Sequence, residues 1–212
     1  MPDAALTYHQ RVAETKRAAI VSAATGLFGE NGYESTSLAR VAEVAGVSTA
    51  TLFKQFPTKA DLFEAIVLDF WGRTATSASA SEELDGLDPV GGLTALGDRY
   101  AELLLRPGMA GLHRMVIAEA PRFPELARIQ FDLGKEPFFG RVHAYLTTAD
   151  DKGSLRVPNP TDAATQFLGM ISNVVFWPKL LLVEWDPSPE QISRTIADAV
   201  AMVTSYYHPR HA

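Results

Sequence analysis

The sequence contains no cysteine, and this absence excludes several kinds of chemistry. A chain without thiols has no disulfide bond, no thiolate nucleophile and no cysteine-ligated zinc. It also gives no reason to assign the protein to an oxidising compartment, so we expect a cytoplasmic location.

Long hydrophobic runs are missing too. The longest apolar stretch lies between Val174 and Val183 and is interrupted by Pro178 and Lys179, whereas a membrane-spanning helix needs about 20 apolar residues in succession. The first residues are acidic and polar, unlike the basic start and apolar core of a secretory signal. We therefore expect a globular protein with no membrane partner.

Basic residues are in deficit, with 19 Lys and Arg against 25 Asp and Glu and a formal net charge of -6. Residues 1–75 are almost neutral, with seven basic and eight acidic side chains. Because neutralisation of phosphates dominates sequence-independent DNA affinity, this balance argues mildly against nucleic-acid binding. Such a function must therefore rest on a motif.

Apolar residues recur with a helical period in the N-terminal part. One stripe runs from Ile20 to Phe28 and stops at Asn31-Gly32, a pair typical of helix C-termini. A short second helix follows a run of possible N-caps at 35–37, and a third begins at the N-cap Ser48 and ends before Pro57. A fourth helix, which starts after Pro57, has a broad apolar face.

The segment 77–88 is small, polar and acidic, and it is the best candidate for a linker. Beyond it, the helical period predicts five further helices, over roughly 89–105, 109–119, 124–147, 161–184 and 189–207. Alternating patterns of the β type are essentially absent. The chain is therefore predicted to be all-α.

The second and third helices are joined by a tight turn at Gly46. In a helix-turn-helix the first helix braces the second, whose N-terminal residues enter the major groove of DNA. This geometry also occurs in helical proteins that never meet DNA, so the pattern alone leaves the function open.

The complete string from Arg17 to Phe63 is more specific. It carries, in order and spacing, Ala24, Leu27-Phe28, Gly32-Tyr33, Thr36, Val41-Ala42, Ala45-Gly46-Val47-Ser48, Thr51-Leu52, Phe56 and Lys59. With these residues it closely resembles the N-terminal domain of the tetracycline-repressor-like (TetR) family of transcriptional regulators. Residues 114–131 resemble one branch of the family's C-terminal domains.

The resemblance implies two domains. An N-terminal three-helix helix-turn-helix domain would occupy residues 1–58 and continue through a helix at 59–76. A larger C-terminal helical domain for ligand binding and dimerisation would occupy residues 77–212. The implied partners are a double-stranded DNA operator, a second copy of the chain and an unidentified small-molecule effector, with no cofactor.

The resemblance also assigns DNA contacts, to Thr36, Ser48, Thr49, Ala50, Thr51, Phe53, Lys54, Gln55 and Lys59. Lys54 and Gln55 are able to donate hydrogen bonds to base edges. Thr36, Ser48 and Lys59 are suited to bind phosphates at helix N-termini, although plain helix capping is the alternative for the two hydroxyls. The family usually has tyrosine where this chain has Phe53, so a hydroxyl that would bind phosphate is missing.

Two further sets of residues follow from the family's C-terminal domain, and ordinary core packing is the alternative for both. The effector pocket is predicted to include Tyr100, Leu104, His113, Ile117, Phe123, Phe131, Phe138, Phe139, Phe167, Met170, Asn173 and Trp177. Its aromatic character predicts a mostly apolar or aromatic ligand. The dimer interface is predicted to include Ala164, Phe167, Ile171, Val175, Ile192, Ile196, Ala199, Val200, Val203 and Tyr207.

Two other classes of function compete with this interpretation. An enzyme is disfavoured because the five histidines show no HExxH spacing and no paired carboxylates accompany them, so no catalytic or metal-binding residue is assigned. A protein-only interaction module would use the third helix to bind a partner protein. Such binding would lack the steep salt dependence of binding to DNA.

Overall fold

The computed structural model describes residues 8–72, 84 and 86–209. Its helices in chain order are α1 (Tyr8–Asn31), α2 (Leu38–Val44), α3 (Thr49–Gln55), α4 (Lys59–Trp71), α5 (Pro89–Leu104), α6 (Met109–Glu119), α7 (Pro124–Ile129), a π-helix (Gln130–Lys135), α8 (Glu136–Asp151), α9 (Pro160–Val175), α10 (Trp177–Leu181) and α11 (Pro189–Tyr206). No strand occurs within the described ranges, and the predicted all-α class is confirmed. Most of the predicted linker at 77–88 lies outside the described residues.

The helices belong to two compact units. Unit 1 combines Met1–Asp69 with Met115–Gln130, and unit 2 combines Phe70–Arg114 with Phe131–Ala212. Segments distant in sequence thus share one core in each unit. The domain boundaries predicted at residues 58 and 77 stay a prediction.

Unit 1 contains the helix-turn-helix, whose turn is tight. Gly46 has a φ of +66°, a conformation that glycine adopts without strain, and the amide of Val47 bonds the carbonyl of Ala42 at 3.0 Å. Ser48 then caps α3 by accepting a hydrogen bond from the amide of Thr51. Leu52, the fully buried residue of α3, holds this helix against its unit and leaves the opposite side exposed.

Unit 2 is built around α5, α9 and α11, which pack closely. A Cβ at Gly97 of α5 would lie 2.7 Å from Ile196 of α11 and 3.4 Å from the ring of Phe167 of α9, so only glycine permits this approach. Phe167 is 0% exposed and Ile196 1%. Within the described part of the chain, no helix has both the length and the hydropathy of a membrane span.

The structure differs from the helical pattern in three places. α1 begins at Tyr8, well before the apolar stripe that starts at Ile20. The helical pattern over 161–184 is broken at Phe176, as Pro178 predicts, because proline cannot supply a backbone N–H to continue the helix. The helix predicted over 124–147 contains a π-helical turn, in which Gly134 lies against the indole of Trp71.

Candidate nucleic-acid interface and effector site

The predicted contact residues on α3 form one surface with its N-cap. Ser48, Thr49, Ala50, Phe53 and Lys54 are exposed, and Thr51 and Gln55 are half-buried. Phe53 is 49% exposed although it is aromatic. The surface therefore offers hydroxyls, methyl groups, one ring and one ammonium to an external partner.

Thr36 differs from this group because its side chain faces the protein interior. It is 3% exposed, and its hydroxyl lies 2.8 Å from the carbonyl of Gly32 and 3.2 Å from that of Leu27. The N-cap of α2 is the next residue, Ser37, which accepts a hydrogen bond from the amide of Arg40. Thr36 closes the loop after α1, and its hydroxyl is not presented to a phosphate.

Lys59 is also engaged within unit 1. Its ammonium donates to the carbonyls of Tyr33 at 2.8 Å and Glu34 at 3.1 Å, and it lies 4.9 Å from the centre of the Tyr33 ring. Burial lowers the pKa of Lys59, against the opposing effect of Glu119 and Glu34. An ammonium has three N–H groups, so one stays available to a phosphate.

The loop that Lys59 contacts is further held by the segment 115–130. The ring of Tyr33 lies 5.2 Å from that of Phe123, edge to face, and Arg122 pairs with the carboxylate of Glu34. Burial, with smaller contributions from Glu125 and Asp61, raises the pKa of Tyr33 to about 12. Phe123 was predicted to line the effector pocket, but here it packs beside the helix-turn-helix.

A second group of functional candidates clusters in unit 2. The rings of Tyr100 and Phe138 stack with centroids 5.3 Å apart. Burial raises the pKa of Tyr100, and a hydrogen bond with Ser172 acts in the opposite direction. Two of the predicted effector residues are thus in contact, and Ser172, which sequence reasoning missed, supplies their polar partner.

His113 lies in another aromatic group of unit 2. Its ring is 4.9 Å from that of Phe176 and 6.4 Å from that of Trp71. The indole N–H of Trp71 is buried and has no hydrogen-bond acceptor among the described residues. The sequence did not identify Trp71 and Phe176 as members of this group. Each lies at the end of a helix, where an apolar residue predicts core packing and no ligand contact.

The remaining predicted effector residues are scattered. Ile117 is 60% exposed and belongs to unit 1, while Phe131 and Trp177 are 46% and 54% exposed in unit 2. Leu104 and Phe167 are core residues of unit 2, and Phe139 lies 5.3 Å from the ammonium of Lys135. Asn173 is exposed, and Met170 is half-buried.

The dimer interface predicted from the sequence stays a prediction, and the protomer itself already covers most of its residues. All but the half-buried Ile192 are buried, namely Ala164, Phe167, Ile171, Val175, Ile196, Ala199, Val200, Val203 and Tyr207. Most of their apolar side chains form the interior of unit 2, whereas Val203 and Tyr207 also line a surface groove of about 420 Å³. This groove lies between the outer faces of α9 and α11, where Met170, Met202 and Tyr206 line it too.

The buried imidazole of His113 predicts a pH dependence of stability. Burial lowers its pKa, while a hydrogen bond to the carbonyl of Met109 at 2.9 Å opposes this effect. The unfolded chain therefore takes up a proton, near the ordinary histidine pKa of about 6.5, before the folded chain does. This contribution to stability is present above that pH and is lost as the pH falls below it.

We expect the free energy of unfolding of the wild type to decrease between pH 7 and 5 more steeply than that of His113→Phe. Urea titrations at each pH measure this difference, with His143→Phe as the control for loss of a half-buried histidine. Equal slopes for the wild type and His113→Phe would contradict it.

An exposed third helix on a helix-turn-helix, together with a second helical unit that holds polar groups among aromatic rings, defines an all-helical protein of the helix-turn-helix class. Residues 20–66 match the model of the bacterial regulatory proteins of the tetR family, and residues 91–209 match that of the AefR-like transcriptional repressor C-terminal domain. The chain belongs to the TetR family of transcriptional regulators.

Curated relatives match only part of the chain, whereas solved structures match nearly all of it. The HTH-type transcriptional regulator RutR of Escherichia coli (strain K12) is 41% identical over 64 residues, 29% of this chain and 30% of RutR. The chain spans less than two fifths of the length of such curated relatives, at most 38%. A TetR-family regulator from Mesorhizobium loti MAFF303099 has a TM-score of 0.80 at 25% identity, covering 92% of this chain and 98% of that one.

A third similar protein bears on the ligand. The flavonoid-responsive regulator FrrA is 27% identical, with a TM-score of 0.72, and the match covers 92% of this chain and 98% of FrrA. FrrA responds to flavonoids.

Proposed function

We propose that this protein is a homodimeric repressor that binds a palindromic operator through α3 and is released by a small, mostly apolar or aromatic molecule. The observation that carries the proposal is the exposed surface of Ser48, Thr49, Ala50, Phe53 and Lys54 on a helix-turn-helix of the TetR family. Repression is supported by the description of the matching C-terminal model.

The proposed DNA contacts divide by chemistry. Lys54 donates to base edges or to phosphate, and Thr49, Ala50 and the methyl group of Thr51 contact thymine methyl groups. Ser48 contacts the backbone. Gln55 contributes less to base recognition than the sequence suggested, since its amide donates to the carbonyl of Ala13 at 3.4 Å.

Phe53→Tyr is expected to retain or strengthen operator binding. Phe53 is 49% exposed, so a para hydroxyl has room and gains a phosphate partner without disturbing the core. We expect a gain of up to about tenfold for each half-site, which corresponds to about 1.4 kcal/mol, the upper end for a typical net hydrogen bond. Fluorescence anisotropy with an operator duplex measures the change in affinity, and Phe53→Leu is the control for loss of the ring. A large loss of affinity in Phe53→Tyr would contradict the placement of the ring.

The proposed dimer uses the outer faces of α9 and α11. Met202 is 61% and Tyr206 80% exposed, and both line the same groove, so they form a shared apolar surface. Neighbouring exposed positions are small, among them Gly169, Ala197 and Ala201, and permit close approach of helices. A dimer places two recognition helices on half-sites about 34 to 36 Å apart, or a multiple of this distance.

The proposed effector site is the aromatic region of unit 2. It supplies stacking rings at Tyr100 and Phe138 and polar groups at Ser172, His113 and Trp71. An aromatic ligand with hydrogen-bond acceptors suits this set. The response of FrrA to flavonoids points to the same chemistry and makes a flavonoid panel the first probe.

Release of DNA requires that the effector bind the free dimer more tightly than the DNA-bound dimer, because coupling between two sites is reciprocal. The test is therefore a flavonoid titration, followed by fluorescence, with and without the operator duplex. Equal affinity in the two titrations would contradict the release mechanism.

The DNA-binding proposal is tested by titrating the full chain against a fluorescent duplex from the intergenic region upstream of its own gene. The titration is made at two salt concentrations and with unrelated competitor DNA. Saturable, salt-sensitive binding that resists the competitor supports an operator-binding regulator. Binding that unrelated DNA removes completely would contradict it for this region, and binding without salt dependence would favour a protein-only module.

A further inference from the structure

The N-terminal half of α1, residues 8–18, makes few contacts with the rest of the described chain. From Tyr8 to Ala18 every residue is exposed except the half-buried Val12, and the first fully buried residue is Ile20. Isolated helices of this length are marginal in water, so most of their stability comes from contacts on one face. The contacts that stabilise this segment must therefore come from residues or molecules outside the core.

This segment contacts the C-terminal end of the recognition helix α3. The amide of Gln55 donates to the carbonyl of Ala13 at 3.4 Å, and the guanidinium carbon of Arg17 lies 4.4 Å from the ring centre of Phe56. Positions 13 and 17 are one helical turn apart, and position 16 lies on the same side. Lys16 and Arg17 thus belong to the side of α1 that faces α3.

Among the described residues, the cations on this side have no carboxylate partner. Within residues 8–72, 84 and 86–209, neither Lys16 nor Arg17 forms an ion pair, and neither does Lys54 on α3, whereas Arg40 pairs with Glu43 at 2.8 Å. Glu14 is the one acidic residue between positions 8 and 19. It lies about 160° around the helix from Lys16 and about 60° from Arg17, with which it forms no ion pair in the described part of the chain.

We propose that Lys16 and Arg17 bind the DNA backbone, so that the recognition-helix side of α1 holds phosphates next to the bases that α3 contacts. The inference rests on the proposed DNA-binding function. Contacts to phosphate fix register and orientation without reading sequence. The Gln55 bond to Ala13 and the Arg17 contact with Phe56 hold these cations at a constant distance from α3, so phosphate binding on α1 positions the base-reading residues.

Salt dependence tests this assignment directly. The logarithm of the binding constant for B-DNA falls with the logarithm of salt concentration, with a slope of about -0.9 for each neutralised phosphate. We expect Lys16→Ala and Arg17→Ala each to reduce the magnitude of the slope by about 0.9 for each protomer, and therefore by about 1.8 for the proposed dimer, equally for operator and unrelated duplexes. Arg17→Lys keeps the charge and is expected to retain the slope.

Lys152→Ala is the matched control, because it removes one exposed cation from unit 2. Circular dichroism confirms that each variant remains folded. Slopes for Lys16→Ala and Arg17→Ala equal to that of Lys152→Ala would overturn this inference while wild-type binding still supports the proposed function. A wild type with no salt-dependent DNA binding would overturn both.

Discussion

Phe167→Ala is expected to lower the free energy of unfolding of the protomer by about 3–5 kcal/mol. Phe167 is 0% exposed, and its ring lies where Gly97 of α5 and Ile196 of α11 approach α9. Removing the ring leaves a cavity between three helices. Because these helices already approach as closely as Gly97 permits, they cannot move together to fill it.

Urea denaturation at two protein concentrations measures this change and separates it from dimerisation, which makes apparent stability depend on concentration. Phe131→Ala is the matched control, since Phe131 is 46% exposed and its loss should cost about 1–2 kcal/mol. A protomer that keeps its stability but loses its dimer on Phe167→Ala would restore the interface originally predicted from the sequence.

Phe167 also illustrates what a hydrophobic period can predict. The period of 3.6 residues identifies the buried side of α9 and α11, and nearly all the predicted interface residues are indeed buried. The same period does not say what buries them. Burial by the protomer's own α5 and by a second copy give identical stripes, and only the packing at Gly97 shows that α5 occupies this side.

The helix-turn-helix was predictable because each of its features is local. A hydroxyl N-cap at Ser48, a glycine turn at Gly46 and one apolar anchor at Leu52 are all specified within a few residues. The helical start at Tyr8 was not predictable, because a helix exposed on nearly all sides has no apolar stripe. Thr36 was misassigned because a capping hydroxyl and a buried one look alike in sequence.

The effector site was predicted only in part, since its residues are brought together by contacts between distant segments. Tyr100 meets Phe138, and His113 meets Phe176 and Trp71, across helices whose relative positions no local pattern specifies. The assignment of Phe123 to the pocket assumed that residues 115–130 belong with the C-terminal helices. They share a compact unit with the helix-turn-helix instead.

Met202→Asp is expected to give a folded monomer whose affinity for the complete operator is lower by about 10²-fold or more. Met202 is 61% exposed, so the protomer tolerates a carboxylate at this position. In the proposed dimer the same position is covered by a second copy, and an unpaired carboxylate there loses its water, at several kcal/mol in each protomer. Without the dimer, binding of one recognition helix no longer raises the effective concentration of a second one at the other half-site.

Sedimentation velocity measures the oligomeric state of Met202→Asp, and anisotropy titrations compare a complete operator with a single half-site. We expect the variant to bind both duplexes with the same low affinity, while the wild type prefers the complete operator. Ala144→Asp is the control, because it adds the same charge at an exposed position of α8 that does not line the groove of Met202 and Tyr206. A Met202→Asp protein that remains dimeric and retains this preference would show that the dimer forms through a different surface, and the exposed Met202 and Tyr206 would then need another partner.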